Sequence, residues 1–505
     1  MALTYLLDDD RPLLWRLSAG TVIGSAVFGL IAFVLACIVG FSAVSVAVSL
    51  VVTMLPLLLL RQRDISKKFG RDWARAKGRF EGANANKLRR FAYYAFFFIL
   101  FWLYFDRAVY EMVDGIYTGG SQNLGDLPFH LGAIFSFTEG NNFPPLNPSF
   151  AGAKFSYPFM ADFLSACMMR LGAGFENAIA AQNLTWAFSL LVILEAFVVD
   201  LTRNRLAGRI APALLFFTGG LGFLWFFSDA GAATNGFWDL MWHLPRDYTI
   251  GEQFRWGNSM VVLFITQRGL LLGMPLTILV CGYLWKIFRD READEASTTV
   301  DIDKGNRETV ADNPSMWGGA ALSHFLLSPF LVGLLAGTLV LIHVHSLAVL
   351  FIVTAFLFFI RPEKWREWIA FGVGVAVIAV PELIWTMTGS ATETSKFFGW
   401  HFGWDKRDEN VAWFWLKNTG IFIPVLAAAV GFYMLKIRKV LDAADTVEVP
   451  KAKKEKKTAL TESPGLTRGH IISLLLFYIP FAVLFVISNI AKFAPWEWDN
   501  IKILI

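Results

Sequence analysis

Cysteine, histidine and charge are all scarce in this chain. It has 3 cysteines and 7 histidines among 505 residues. Cys37, Cys167 and Cys281 each sit in an apolar stretch without ligand spacing, and an odd number cannot pair completely, so neither a disulfide framework nor a zinc site is expected. Asp, Glu, Lys and Arg together make up only 17% of the chain, against about a quarter in an ordinary soluble protein. A net charge of +4 over this length names no partner, and no nucleic-acid partner is expected. What fills the chain instead is apolar: 55% hydrophobic residues, 48 Phe and 19 Trp, with a mean hydropathy of +0.51. That composition excludes a soluble globular enzyme and predicts an all-α polytopic membrane protein.

A spanning helix needs about 20 mostly apolar residues, because lipid cannot satisfy an irregular backbone. About 11 transmembrane helices are predicted, near 13–39, 41–60, 91–110, 178–200, 210–228, 268–288, 321–342, 346–360, 368–385, 411–434 and 471–490. The segment 61–90 carries eleven Lys or Arg against Asp64, Asp72 and Glu81, which assigns it to the cytoplasmic side. The alternation of spans then brings Arg203, Arg205 and Arg209, the group Lys286, Arg289 and Arg291, the group Arg361, Lys364 and Arg366, and the lysine-rich run 451–457 to that side too. The opening MALTYLLDDDRP is acidic and precedes a long apolar block, so an uncleaved anchor is expected, with the N-terminus inside and the C-terminus outside. Segments 289–317 and 440–468 read as cytoplasmic linkers. The terminal WEWDNIKILI is expected either to end at the outer surface or to begin another helix. Three regions follow: an N-terminal hairpin and basic loop over 1–90, a catalytic transmembrane module over 91–385, and C-terminal spans over 386–505, with an outer loop 386–410 and a linker 435–470.

The stretch 106–177 holds three basic residues and seven acids, and it falls on the outer face. A loop this long inside a compact fold is usually functional. Gly125-Asp126 precedes LPFHLGAIFSF, a Pro-rich run Pro144-Pro145-Leu146-Asn147-Pro148 follows, and Tyr157-Pro158 opens FMADFLSACMMRLG. This pattern predicts two juxtamembrane amphipathic helices, near 127–139 and 158–171, joined by an extended crossing. Asp126 and His130 are four apart, on one helical face. Asp126 reads equally as the cap of its helix and as a catalytic carboxylate.

The arrangement GDLPFH…FPPLNPSFAGAKFSYPF resembles the first outer loop of the membrane-embedded C-type glycosyltransferase superfamily, in a bacterial and archaeal branch. The resemblance covers the layout of 91–385, with its sharp motif confined to 125–160. It implies a membrane glycosyltransferase moving a sugar, with inversion, from a polyprenyl phosphate or pyrophosphate to a lipid, polysaccharide or protein hydroxyl at the outer face of the plasma (inner) membrane. It makes Asp126 the base, with His130 orienting it or touching substrate, and keeps Asp106 as the competing acid.

Cations or donors are also needed for the departing phosphate. Arg268, Arg255, Lys396 and Lys154 are candidates beside Gln267 and Tyr157, and each cation also reads as an interfacial residue reaching for headgroups. His343 and His345, two apart at an outer junction, are expected to contact phosphate. They leave a divalent cation open, and no cofactor is otherwise implied. Trp238, Trp242, Trp256, Trp400 and Trp404 suit either the membrane interface or a sugar face. Glu195 and Glu382, within spans, demand partners or a cavity. The rival reading is a polytopic transporter or flippase of lipid-linked or polar substrates, which predicts ionisable groups at mid-membrane and broken helices.

Overall fold

The computed structural model describes residues 1–7, 11–78, 84–119, 123–251, 253–289, 319–388, 398–445 and 468–505. It is a helical membrane-type protein, and among the described residues seven helices are long and apolar enough to cross a bilayer. The helices that position the site are α1 (Leu13–Val39), α2 (Ala43–Met54, extended by a 3-10 turn to Arg61), α3 (Arg63–Gly78), α4 (Ala85–Asp106), α5 (Asp126–Thr138), α6 (Met160–Arg170), α7 (Phe175–Thr202), α8 (Arg205–Phe216) and α9 (Phe223–Ala232). They continue with α10 (Arg268–Phe288), α11 (Gly319–Gly337), α12 (Leu339–Ile342), α13 (Val344–Ile360), α14 (Trp365–Met387), α15 (Val411–Thr419), α16 (Phe422–Asp445), α17 (Arg468–Ser488) and α18 (Ile501–Leu504).

Small residues set how closely these helices approach. The buried face of α1 runs Ser18, Val22, Ala26, Gly29, Ala32, Ala36, a helical period of small side chains. A Cβ on Gly29 would stand 2.4 Å from the Met160 sulfur, so α6 seats directly on α1. At the α11–α14 crossing, a Cβ on Gly333 would fall 2.1 Å from the Phe371 carbonyl and one on Gly374 2.2 Å from that of Phe330. Such backbone contact is how membrane helices associate where apolar burial gives no net drive. The most enclosed span is α10, with 67% of its apolar window buried. It packs against α1, α7 and α13, so its polar residues meet protein and not lipid.

The sequence-predicted spans are matched in part. The run 411–434 becomes the pair α15 and α16, bent by 97° at Gly420, and 321–342 and 346–360 appear as the apolar helices Leu326–Ile342 and Val344–Ile360, each below the length of a full span. The run 210–228 does not form one helix: it breaks between α8 and α9 at a glycine-rich corner. There a Cβ on Gly220 would lie 2.0 Å from the Lys417 carbonyl and one on Gly222 1.7 Å from that of Tyr248, so neighbouring backbone occupies the space a continuous helix would need.

The basic loops share one end of the bundle. Arg11 pairs with Asp200, Arg16 with Asp72 at 2.9 Å, and the Tyr93 hydroxyl donates to the Arg209 carbonyl. Arg361 lies over Phe288, and His470 bonds the Leu201 carbonyl. The run 451–457 lies outside the described residues.

At the opposite end are a short hairpin, β1 (Val109–Met112) with β2 (Gly115–Thr118), and a long-range antiparallel pair, β3 (Gly399–Trp400) with β4 (Ala491–Lys492). The Pro-rich stretch here corrects the expected extended crossing. Asn147 donates to the Ala153 carbonyl and Phe155 to that of Pro145, so the stretch closes as a loop, and Asn142 brackets its base through both the Leu146 N–H and the Leu146 carbonyl.

Candidate functional site

The two helices expected within 106–177 form where expected, but α6 is not a surface element. Every residue from Met160 to Cys167 is buried, and the helix packs on α1, α5 and α7. The two polar residues of that buried stretch, Asp162 and Ser165, explain how that is tolerated, since a buried polar group must be partnered. Asp162 receives Arg268 on one carboxylate oxygen and the His130 Nδ1 at 2.8 Å on the other. Ser165 donates to Gln182 at 2.5 Å and accepts from Arg268, which also donates to Gln182 at 3.1 Å.

This network revises two expectations, Arg268 at a departing phosphate and His130 as the group that orients Asp126. Arg268 is the N-terminal residue of α10, as expected, but its guanidinium is turned inward and only 2% exposed. It is occupied by Asp162, Ser165 and Gln182, so it does not face a departing phosphate. His130 is likewise committed to Asp162 and does not pair with Asp126. The imidazole and the carboxylate one turn before it therefore serve different partners.

Asp126 itself is exposed. Gly125 stands at the helix cap and no side chain caps α5, which removes the capping explanation for this acid. One carboxylate oxygen of Asp126 instead accepts from the Gln267 amide at 2.7 Å. The Gln267 carbonyl accepts from the Tyr157 hydroxyl at 3.1 Å. The two bonds fix the orientation of the Gln267 amide and link a phenol, an amide and a carboxylate in one chain. The Tyr157 ring is held edge-on by Phe129, with centroids 4.9 Å apart. Burial and the charges of Asp162, Asp126 and Asp499 push the phenol above its ordinary range, so it remains a donor.

Asp499 belongs to the terminal segment, which folds back over this end of the bundle. The Trp498 indole donates to the Arg255 carbonyl at 2.8 Å, Asn500 bonds the Ser488 and Ala491 carbonyls, and buried Ile501 anchors α18, which packs on α13 and α17. Lys502 pairs with Asp499 at 3.1 Å, and its charge acts on both His343 and His345. The two imidazole rings are 5.4 Å apart. His343 is buried; its Nδ1 meets the Ser346 hydroxyl at 2.8 Å, and its Nε2 has no partner. The His343 corner fits against α10 because Gly273 is there: a Cβ would stand 2.8 Å from that of His343.

The other candidates are placed elsewhere. Arg255 pairs with Asp405 and so ties two loops together. Asp106 is exposed at the end of α4, shows no ion pair with Arg107, and makes no bond to the Asp126 group. Lys154 donates to Thr388 at 3.1 Å and lies over Trp385. Lys396 lies outside the described residues. Trp404 is 1% exposed and stacked on Trp415, so it is core and not a sugar platform, whereas Trp238, Trp242 and Trp400 are exposed. Among the described residues no group of three or more His, Cys, Asp or Glu could hold a metal ion.

Sequence reasoning missed Asp162, Ser165, Gln182, Asp499 and Lys502. Asp162 and Ser165 share a helix face at i, i+3, a signal for a joint inward partner; Lys502 is the one cation in the apolar run IKILI.

No family model, no curated protein and no solved structure matches the chain.

Proposed function

We propose that the chain is a glycosyltransferase of the extracytoplasmic membrane face, using a sugar carried on a polyprenyl phosphate or pyrophosphate. The observation that carries this reading is the Asp126 carboxylate, exposed, free of capping and oriented by Gln267 and Tyr157. In such a reaction Asp126 takes the proton of an acceptor hydroxyl. The acceptor oxygen bonds the anomeric carbon as the bond to the phosphate oxygen breaks, and the lipid phosphate leaves with the electron pair. Lys502, with the His343 and His345 pair, replaces Arg268 as the positively charged and hydrogen-bonding group for that phosphate. The basic end of the bundle would face the cytoplasm, which puts Asp126 outside. Eleven crossings remain part of this proposal, with the bent and short helices counted as spans.

The test supplies the purified protein in lipid with polyprenyl-phosphate sugars and follows transfer and donor hydrolysis. Asp126→Asn should abolish transfer while donor binding is retained. Equal turnover in this variant overturns the base assignment and directs attention to Asp106.

A carrier is the second reading, favoured by two features: the 97° break between α15 and α16, and Glu382, which is 7% exposed within α14 with one carboxylate oxygen unpartnered. Substrate-dependent flux in sealed vesicles without any transfer would decide for it.

A further inference from the structure

The basic end contains a second feature, remote from Asp126: a narrow cavity of about 60 Å³ between α1, α7, α10 and α11. Its interior is apolar, lined by Phe197, Ile278 and Leu335, and its mouth carries Arg11, Lys286 and Asp200. Arg11 is held at that mouth by its ion pair with Asp200 and by the Trp15 ring, 5.0 Å from the guanidinium carbon. Gly282 lines the slot, and a Cβ there would touch Phe197 at 3.6 Å, so any larger side chain would grow into it. Among the described lining residues the charges are two positive against one negative, with Arg11 paired to Asp200. The neighbouring helix α3 adds Arg63, Lys67, Lys68, Arg71, Arg75 and Lys77 against Asp64 and Asp72.

An apolar slot under a cationic mouth, at the end of the bundle that carries the basic loops, has the chemistry of a phospholipid site. The slot takes a few carbons of one acyl chain, and the mouth takes the headgroup phosphate. We propose that an anionic phospholipid binds here, with Lys286 and Arg11 on its headgroup and its chain against Phe197 and Ile278. Such a lipid would pin α10, whose other end begins at Gln267 and Arg268, without entering the Asp126 site. Asp8, Asp9 and Asp10 precede Arg11 in the sequence, so the choice between anionic and zwitterionic headgroups is the decisive measurement.

The full chain, purified in mild detergent, would be exposed to equal amounts of phosphatidylglycerol and phosphatidylcholine with identical acyl chains, and retained lipid read by native mass spectrometry. Phosphatidylglycerol should be retained about fivefold over phosphatidylcholine. Lys286→Gln should erase that preference, and Gly282→Leu should lower retention of both lipids. A photoreactive acyl chain on phosphatidylglycerol should label the peptide containing 278–286 in the unaltered chain, a readout that requires no variant to fold. Equal retention of the two lipids overturns the headgroup assignment, and labelling confined to other segments overturns the slot. Displacement of the lipid by millimolar inorganic phosphate would identify free phosphate as the ligand and overturn the lipid.

Discussion

Arg268 offers the sharpest test of the site, because the same residue is a substrate contact on the sequence reading and a buried structural cation in the structure. Arg268 and Asp162 are each 2% exposed, so neither charge has water to fall back on. Removing one partner of such a pair leaves the other buried and uncompensated, a loss of about 3–5 kcal/mol. The two single variants should not be equal. In Arg268→Met, Asp162 keeps the His130 nitrogen at 2.8 Å, which places the loss near the lower figure. In Asp162→Asn, Arg268 retains only the neutral acceptors Ser165 and Gln182, which places it near the upper one. Replacing both residues, Asp162→Leu with Arg268→Met, removes the stranded charge and should recover most of the stability. The assay is thermal unfolding of detergent-solubilised protein, followed by the fraction remaining monodisperse on gel filtration. If Arg268→Met unfolds at the wild-type temperature and loses only donor affinity, the buried-pair argument is wrong and the guanidinium belongs to the substrate site.

Four other outcomes are expected. Asp126→Asn should lower transfer by about 10²–10⁴-fold, the range for loss of a positioned general base, with unfolding temperature unchanged because the side chain is exposed; transfer rates and melting curves read the two separately. Lys502→Gln should weaken donor binding about tenfold, the loss of one charge-assisted contact, measured as KM for the polyprenyl-linked sugar. Gly333→Val drives side-chain carbons into the Phe371 carbonyl and should destabilise the α11–α14 pair by about 3 kcal/mol, read by thermal unfolding. The Tyr157 phenol is held above its ordinary range, so its contribution to stability is complete below the pH near 10 where an unfolded tyrosine ionises, and it declines as pH rises toward the folded value. Tyr157→Phe should therefore flatten the alkaline side of the stability profile.

How much of this was legible in the sequence depended on the range of the interaction. Helix existence is local: the apolar runs of α1, α7, α10 and α14 lie where a length-and-hydropathy argument puts them, and α5 begins at Asp126 within one residue of expectation. The shared end of the basic loops was also readable, since alternation of spans alone requires it. The break at 217–222 was not, because its cause is a pair of distant carbonyls, on Lys417 and Tyr248, occupying the place of glycine side chains. An apolar stretch containing Gly219, Gly220 and Gly222 has the hydropathy of a span whether or not another strand of chain crosses it.

The site divides along the same line. Asp126, Tyr157 and Gln267 were all singled out from residue type and place, and the structure joins them. The error concerned which cation serves which anion. Charge pairing between α6 and α10 spans 106 positions and leaves no periodic trace, so an arginine at a span mouth reads as available while its carboxylate goes unrecognised as an inward residue. The two errors are one: a helix taken as amphipathic at the interface must have its Asp162 in water, and once α6 is buried that carboxylate demands a partner, which withdraws Arg268 from the candidate site. On the proposed reading the cation role passes to Lys502, delivered by a terminal segment whose buried Ile501 and doubly bonded Asn500 hold it over the histidine corner. The network that disqualifies the expected arginine also fixes the floor beneath Asp126. His130, one turn along α5, anchors that helix to Asp162 while Gln267, the residue before Arg268, grips Asp126. The exposed carboxylate is thus positioned from both sides by one buried ion pair, and damage to that pair should be felt at Asp126 even though no atom of it touches the acid.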